Sequence, residues 1–150
     1  MKAVIQRVTE ARVIIDENVY ASIPRGLLVF VGIEDQDTIE DISWLAGKII
    51  RLRIFDDSNG VMNLSLNEIR GELLVVSQFT LHASTKKGNR PSYIKASKPD
   101  FAIPAYEKFL DALKSDCFTQ VKSGIFGAEM KIHIINDGPV TIIIDTKNKE

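Results

Sequence analysis

The stretch GLLVFVGI, residues 26–33, is a nearly unbroken run of apolar side chains. Such a run, which follows the turn residues Pro24 and Arg25, predicts a β-strand that is buried on both faces. A second run of the same kind, GELLVVSQ, covers residues 71–78. The chain is therefore expected to form a sheet with these two strands in its interior.

Other segments alternate between apolar and polar residues, as strands with one buried face do. They cover residues 1–8, 12–15 and 19–23, and the tripeptide Asp16-Glu17-Asn18 suits a hairpin turn between the last two. Towards the end of the chain, residues 129–135 and 140–145 predict two more strands, joined by a turn at residues 136–139. Turns this short favour antiparallel neighbours.

Two segments have helical period. In residues 37–52 the apolar side chains form one stripe, with Asp37 as the expected N-cap and Glu40 as its capping-box partner. A second helix is expected at residues 100–114, with Pro104 in or near its first turn. The sequence thus predicts one α+β domain over residues 1–150: a curved, mostly antiparallel, barrel-like sheet with two covering helices and a frayed tail at residues 146–150.

Composition excludes several classes of protein. The 150 residues contain one cysteine and two histidines, His82 and His133, so neither a disulfide framework nor a cysteine-based zinc site is expected. The sequence has no phosphate loop and none of the common hydrolase or metal motifs, and we expect no cofactor and no metal. No secretory signal or membrane-length apolar run is present, so we expect a cytoplasmic protein without membrane contact.

Charge is unevenly distributed, although 19 basic and 20 acidic residues nearly cancel. Residues 73–99, which we call the basic window, hold no acid and carry +5, which leaves −6 for the rest. Its cations are Lys86, Lys87, Arg90, Lys95 and Lys98. An anionic partner for one face and a solvated lysine-rich loop explain this asymmetry about equally well.

Polar residues end the second buried strand abruptly, in the motif Ser77-Gln78-Phe79-Thr80. Polar groups at a strand end commonly line a site, but Ser77 and Thr80 can equally satisfy nearby backbone groups. The strand is expected to continue through Thr80 and His82, which then share a face and resemble half of a nucleophile–base pair, although such a pair also arises by chance.

The segment Asn136-Asp137-Gly138-Pro139-Val140-Thr141 reads most simply as a hairpin turn. A proline suits the first position of a strand, because it lacks the N–H that a sheet would pair. From base rates alone, the bond before Pro139 is expected to be trans.

Together these two motifs resemble the D-aminoacyl-tRNA deacylase family. Further similarity lies in the opening MKAVIQRV, in GLLVFVGI, in MNLSL at residues 62–66 and in KGNRPS at residues 87–92, so that it covers nearly the whole chain. The family resemblance implies a homodimer with active sites at the subunit interface, which hydrolyses the ester of D-aminoacyl-tRNA. It also implies a cis bond at Gly138–Pro139.

The resemblance assigns roles to particular residues. It implies a catalytic segment at Ser77, Gln78, Phe79 and Thr80. It implies chiral selection and substrate binding by Asn136, Gly138, Pro139, Val140 and Thr141, with Arg7 holding this loop and Phe126 and Met130 lining an adenine pocket. In this interpretation the basic window contacts tRNA phosphates without reading sequence.

A rigid wall suits the selection of one enantiomer, because the two enantiomers carry the same groups and attraction alone separates them poorly. Such a wall excludes an L side chain and admits D residues and glycine, so glycyl-tRNA is an expected second substrate. Thr80 lacks an evident activating base, which favours assistance by the 2′-OH of the substrate's ribose. Two alternatives stay open: a non-catalytic module that binds the tRNA 3′ end, and a structural or metabolite-binding dimer.

Overall fold

The two buried runs form neighbouring strands of one sheet in a computed structural model that describes residues 1–149. The strands are β1 (Lys2–Ile15), β2 (Asn18–Ile23), β3 (Gly26–Gly32), β4 (Phe55–Asp56), β5 (Met62–Leu64), β6 (Glu72–Ser77), β7 (Val121–Ser123) and β8 (Lys131–Asp145). The helices are α1 (Ile39–Arg51) and α2 (Pro99–Asp116), and a short 3₁₀ turn covers Phe79–His82.

The long strand β1 organises the main sheet. It is antiparallel to β2, β3 and β8, whereas β3 runs parallel to β6 and β6 runs parallel to β7. The sheet curls until β7 approaches β2, where Lys122 Nζ donates to the Ser22 carbonyl oxygen at 2.7 Å. The predicted fold class, an α+β protein with a curved, mostly antiparallel sheet, is confirmed.

Alternate residues of the buried strands enter two separate cores, because successive side chains point to opposite faces. Val29 and Val75 pack on the side covered by α1 and α2. Leu28 and Leu74 pack in a second cluster on the opposite face of the sheet. Both faces of β3 and β6 are therefore buried, as their continuous apolar sequences predict.

Helix α1 begins one residue later than predicted. Thr38 is its N-cap, and Asp41, not Glu40, completes the capping box. The expected N-cap Asp37 is engaged elsewhere: its carboxylate accepts a hydrogen bond from the Glu34 N–H at 2.9 Å and another from the Met1 amino group. A long-range contact has therefore taken the side chain that local sequence assigns to the cap.

Helix α2, in contrast, begins one residue earlier than predicted, with Pro99 in its first turn, where a proline loses no helical hydrogen bond. Pro104 consequently lies inside the helix, not near its start as the sequence indicated.

The predicted hairpin at residues 136–139 is wrong. The two strands assigned there are one strand, β8, which pairs with β1 on both sides of a bulge. Gln6 pairs with Thr141 and Val8 pairs with Asn136, so residues 137–140 lie opposite Arg7 alone. We call residues 137–140 the bulge.

The chain after β8 is anchored, so the expected frayed tail is wrong for residues 146–149, and residue 150 lies outside the described residues. Thr146 is buried, and Lys147 Nζ donates to Asp41 Oδ2 at 2.6 Å and to the Gln36 carbonyl oxygen at 2.7 Å. Burial raises the pKa of Asp41, but the hydrogen bonds from Lys147 and Thr38 outweigh it and hold this pKa well below its usual range.

Among residues 1–149, no helix is both long and apolar enough to cross a membrane.

Candidate active site

The motif Ser77-Gln78-Phe79-Thr80 turns away from the sheet where β6 ends. Gln78 is the last residue attached to the sheet, since its N–H donates to the Val31 carbonyl oxygen at 2.7 Å. The 3₁₀ turn follows directly, and Gly32 makes room for it: a Cβ at position 32 would lie 2.9 Å from both His82 and the Gln78 carbonyl oxygen. The predicted continuation of the strand through Thr80 and His82 is wrong.

This turn forms one wall of a pocket of about 250 Å³. Ser77, Gln78 and Phe79 line it from the end of β6, and Phe126 and Met130 line it from the segment that leads into β8. The remaining lining residues are Val31, Ile33, Val76, Ser97, Ala102, Gly127, Ala128 and Ile132. The pocket therefore offers a largely apolar cleft with a few polar groups at its edge, which suits a ring system of nucleoside size.

Tyr106 of α2 supports the pocket from behind. Its ring centroid lies 5.7 Å from that of Phe126, and its hydroxyl donates to the Val75 carbonyl oxygen at 3.1 Å. Burial raises the pKa of Tyr106 well above its usual range, so the hydroxyl stays a hydrogen-bond donor at neutral pH. The sequence identified Tyr106 only as an apolar residue of the helix.

Thr80 has Gln78 as its side-chain partner, with Gln78 Nε2 donating to Thr80 Oγ1 at 2.6 Å. Within residues 1–149, no hydrogen bond joins Thr80 to His82, whose ring is 3% exposed and whose Nε2 has no partner. The backbone N–H groups of Phe79 and Thr80 also make no hydrogen bond in this part of the chain. The turn thus presents two free donors, while Thr80 lacks an activating base in the described chain.

Arg7 occupies the space beneath the bulge. It is 7% exposed, its Nη1 donates to the Ile54 carbonyl oxygen at 2.7 Å, and its Nε forms an ion pair with Asp137 Oδ2 at 3.2 Å. A second carboxylate, Asp56 Oδ1, lies 3.4 Å from Nη1. A buried guanidinium therefore ties the bulge to the strand that faces it.

The base of the bulge is held by a second set of contacts. Thr141 Oγ1 accepts hydrogen bonds from Gln6 Nε2 at 3.3 Å and from Asn136 Nδ2 at 3.4 Å. Gly138 and Pro139 at its tip are exposed, and the bond between them is cis, as the family resemblance implied. Val140 returns the chain to the helix-side core.

The structure thus gathers the candidate residues into two groups. Ser77, Gln78, Phe79, Phe126 and Met130 share the pocket. Arg7 and residues 136–141 form the second group, and neither Gly138 nor Pro139 lines the pocket of its own chain. The five cations of the basic window follow the 3₁₀ turn. The side chains of Lys86, Lys87, Arg90 and Lys95 are exposed, and Lys98 is exposed at the start of α2.

Sequence reasoning missed several pocket residues. Ser97 reaches the pocket because its N–H donates to the Ile33 carbonyl oxygen at 2.9 Å, a contact that no local pattern signals. Ile132 was assigned only as a strand residue. The polar strand end at residue 77 was the usable signal, and it located one wall of the pocket but not the opposite one.

The chain is an α+β protein with a curved sheet, a pocket at the end of β6 and an anchored bulge in β8. Comparison with known proteins identifies the family that has this fold. The family model described as D-Tyr-tRNA(Tyr) deacylase matches residues 4–145. Two relatives named D-aminoacyl-tRNA deacylase, from Flavobacterium psychrophilum and Parabacteroides distasonis, are 64% and 63% identical over the full length of both chains.

Two solved structures have the same fold. One, titled "c-Myc DNA Unwinding Element Binding Protein", is 40% identical, with a TM-score of 0.92 over 97% of this chain and 98% of that one. The other, titled as a probable eukaryotic D-amino acid tRNA deacylase, is 18% identical, with a TM-score of 0.82 over 95% and 97% of the two chains. The chain belongs to the D-Tyr-tRNA(Tyr) deacylase family.

Proposed function

We propose that this chain hydrolyses the ester bond of D-aminoacyl-tRNA and rejects L-aminoacyl-tRNA, so that it proofreads chirality in translation. The observation that carries this proposal is the nucleoside-sized pocket beside the free N–H groups of Phe79 and Thr80. The pocket takes the terminal adenosine, and the reacting ester lies against the turn. Family membership supplies the reaction class.

Hydrolysis of an activated ester needs an oriented water and stabilisation of the developing oxyanion. Water attacks the ester carbonyl carbon, the bond to the ribose oxygen breaks, and that oxygen takes the proton that the water gives up. The N–H groups of Phe79 and Thr80 are placed to bind the oxyanion, and one such donor is worth about 2.7–4 kcal/mol where it has been measured.

Thr80 positions the substrate in this mechanism and is not its nucleophile. Its hydroxyl already accepts a hydrogen bond from Gln78, and a threonine nucleophile requires an adjacent base. The 2′-OH of the substrate's own ribose lies next to the ester and assists the attack of water. Assistance by the substrate agrees with a site that offers few side chains able to act as a general acid or base.

Chiral selection requires a second copy of the chain. The exposed Gly138–Pro139 tip does not reach the pocket of its own chain, but an isologous dimer can place it against the partner's pocket. The strand that carries the bulge also exposes Ile135 and Ile143, which are 57% and 75% accessible and supply apolar surface for such a dimer.

The selecting group is a wall that Arg7 anchors from below. The backbone of Gly138 and Pro139 blocks the position of an L side chain, whereas a D side chain points away from it. Because the wall selects by exclusion, many D-amino acids are accepted, and glycine, which has no side chain, is removed as well. Residues 1–150 act as a single D-aminoacyl-tRNA deacylase domain.

The basic window holds the acceptor stem of the tRNA through its phosphates, which gives salt-dependent affinity without sequence readout. Because its substrate is an aminoacyl-tRNA, the enzyme acts in the cytoplasm.

A second candidate function, a tRNA 3′-end binding module without catalysis, is favoured by one observation: no base is hydrogen-bonded to Thr80 in the described chain. The experiment that separates the two follows ester loss from D-tyrosyl-tRNA and L-tyrosyl-tRNA. The enzyme cleaves the D ester, whereas the binding module shows salt-sensitive affinity for tRNA and no turnover.

A further inference from the structure

An aromatic pair stands at the mouth of the pocket, and only one of its members lines the pocket. The rings of Phe79 and Tyr93 meet edge-on, with centroids 5.1 Å apart and planes 74° apart. Their side chains remain 56% and 40% exposed. An edge-to-face contact covers at most one face of either ring, so the pair offers open aromatic surface outside the pocket.

The backbone around Tyr93 is fixed, although its side chain is exposed. The segment before it is closed by two hydrogen bonds between Ser84 and Ser92, of 2.8 and 2.9 Å. After it, the Ala96 N–H donates to the Tyr93 carbonyl oxygen at 2.9 Å, and the Ser97 N–H donates to the carbonyl oxygen of Ile33, directly after β3. Tyr93 is therefore an exposed ring on an anchored backbone, which loses little freedom when a ligand stacks on it.

Along the sequence, Tyr93 lies between a pocket residue and three of the cations. Ser97 lines the pocket on one side of it in sequence, and Lys86, Lys87 and Arg90 lie in the closed segment on the other side. Lys95, two residues after Tyr93, is exposed as well. The segment from Phe79 to Ser97 therefore offers a negatively charged chain both exposed aromatic rings and exposed positive charge.

Building on the proposed function, we infer that Tyr93 is a substrate-positioning residue that stacks on the nucleobase directly 5′ of the terminal adenosine. Exposed aromatic rings beside cations are the usual means of holding single-stranded nucleic acid, because every base has a π-face and every nucleotide a phosphate. The last nucleotides of every tRNA are unpaired, so such a platform serves all tRNAs alike. It extends the site from one nucleoside to at least two.

A competing role for Tyr93 is to support Phe79 mechanically. The two roles differ in their dependence on substrate length. A mechanical support matters for any substrate that touches Phe79, whereas a stacking platform matters only when the substrate carries a second base.

The test compares 2′(3′)-O-D-tyrosyl-adenosine with the D-tyrosyl ester of the trinucleotide CCA. Tyr93→Ala is expected to raise KM for the trinucleotide ester about tenfold and to change the kinetics of the adenosine ester by less than about twofold. Tyr93→Phe keeps the ring and is expected to behave as wild type. Phe118→Ala removes another ring, 77% exposed and outside the pocket, and is the matched control.

Equal losses on the two esters, or no loss on either, would overturn the inference in favour of mechanical support or of no role. Binding of the uncharged trinucleotide CCA, measured by calorimetry, makes the result independent of catalysis. Tyr93→Ala is expected to weaken this binding about tenfold; equal affinity of wild type and variant, or no wild-type binding, contradicts the platform. If wild type binds CCA about tenfold more tightly than Tyr93→Ala but cleaves neither ester, the proposed function fails and the platform stands.

Discussion

Arg7 and Asp137 form an ion pair of 3.2 Å between the middle of β1 and the bulge of β8. The guanidinium is 7% exposed and also donates to the Ile54 carbonyl oxygen, so it cannot swing away without losing buried hydrogen bonds. The selecting tip at Gly138 and Pro139 therefore rests on a fixed support. An exposed loop held in this way can act as a wall.

Gly138 is the position at which this wall is most sensitive to substitution. Its φ is +115°, and a Cβ there would lie 3.0 Å from Arg7 Nη2 and 2.9 Å from Val140. Gly138→Ala is therefore expected to cost about 1–3 kcal/mol of unfolding free energy and to lower the ratio of D to L ester cleavage about tenfold or more. Chemical denaturation and initial rates on the two esters measure these effects.

Gly60→Ala provides the matched control. Gly60 also has a positive φ, +73°, but a Cβ at this position would meet no atom of the described residues within 4 Å, its two chain neighbours aside. Like Gly138→Ala, Gly60→Ala loses unfolding free energy because alanine is strained at a positive φ. It should nevertheless keep the wild-type ratio of D to L ester cleavage. If both variants lose selectivity equally, general destabilisation explains the effect and the wall does not.

Thr80→Ala is expected to retain activity within about tenfold of wild type, because the hydroxyl has Gln78 as its partner and, among residues 1–149, no base to activate it. A substrate ending in 2′-deoxyadenosine is expected to react about 100-fold or more slowly, since it lacks the assisting hydroxyl. Single-turnover rates separate chemistry from binding. Complete loss of activity in Thr80→Ala, with normal folding and substrate binding, would identify Thr80 as the nucleophile.

The exposed cations after the 3₁₀ turn should govern the salt dependence of tRNA binding. The double variant Lys86→Gln/Lys87→Gln is expected to reduce the slope of log affinity against log salt by about 1 for each phosphate that no longer meets a lysine. Cleavage of D-tyrosyl-adenosine should not change. Lys108→Gln/Lys114→Gln, with the same charge change on α2, is the control, and an equal effect of the two variants would contradict a localised tRNA surface.

The contact between Lys147 and Asp41 predicts a pH-dependent contribution to stability. A carboxyl whose pKa is lowered on folding stabilises the protein above its unfolded pKa of about 4, and this stabilisation is lost as the pH falls through the folded pKa. Lys147→Met is therefore expected to lower the unfolding free energy by about 0.5–1 kcal/mol at pH 7, with the difference shrinking below pH ~4. A difference that stays constant down to pH ~2, or an equal loss in Lys114→Met, would contradict this assignment.

The strands of the interior and both helices were predictable because their signals are local. Residues 26–33 are apolar throughout, and residues 37–52 carry one apolar stripe, so no distant contact is needed to interpret them. The same holds for the Ser77 end of β6, where a polar motif interrupts an aliphatic strand.

The bulge was not predictable from local sequence, because Asn, Asp, Gly and Pro suit a hairpin turn as well as an insertion in a continuous strand. The bulge forms in place of a hairpin turn because β1 pairs with β8 on both sides of residues 137–140. The cap of α1 was missed for a similar reason, since Asp37 and Thr38 are both good caps and only a long-range contact removes Asp37. The opposite wall of the pocket, with Phe126 and Met130, required the family resemblance.

Stereospecific hydrolysis is tested most directly by the ratio of ester loss from D-tyrosyl-tRNA and L-tyrosyl-tRNA in one reaction mixture. The two esters carry different isotopic labels, and spontaneous hydrolysis is subtracted with a protein-free sample. The D ester is expected to disappear while the L ester decays at the spontaneous rate. Equal enzymatic rates on the two esters, or no loss of either above background, would contradict stereospecific hydrolysis by this chain.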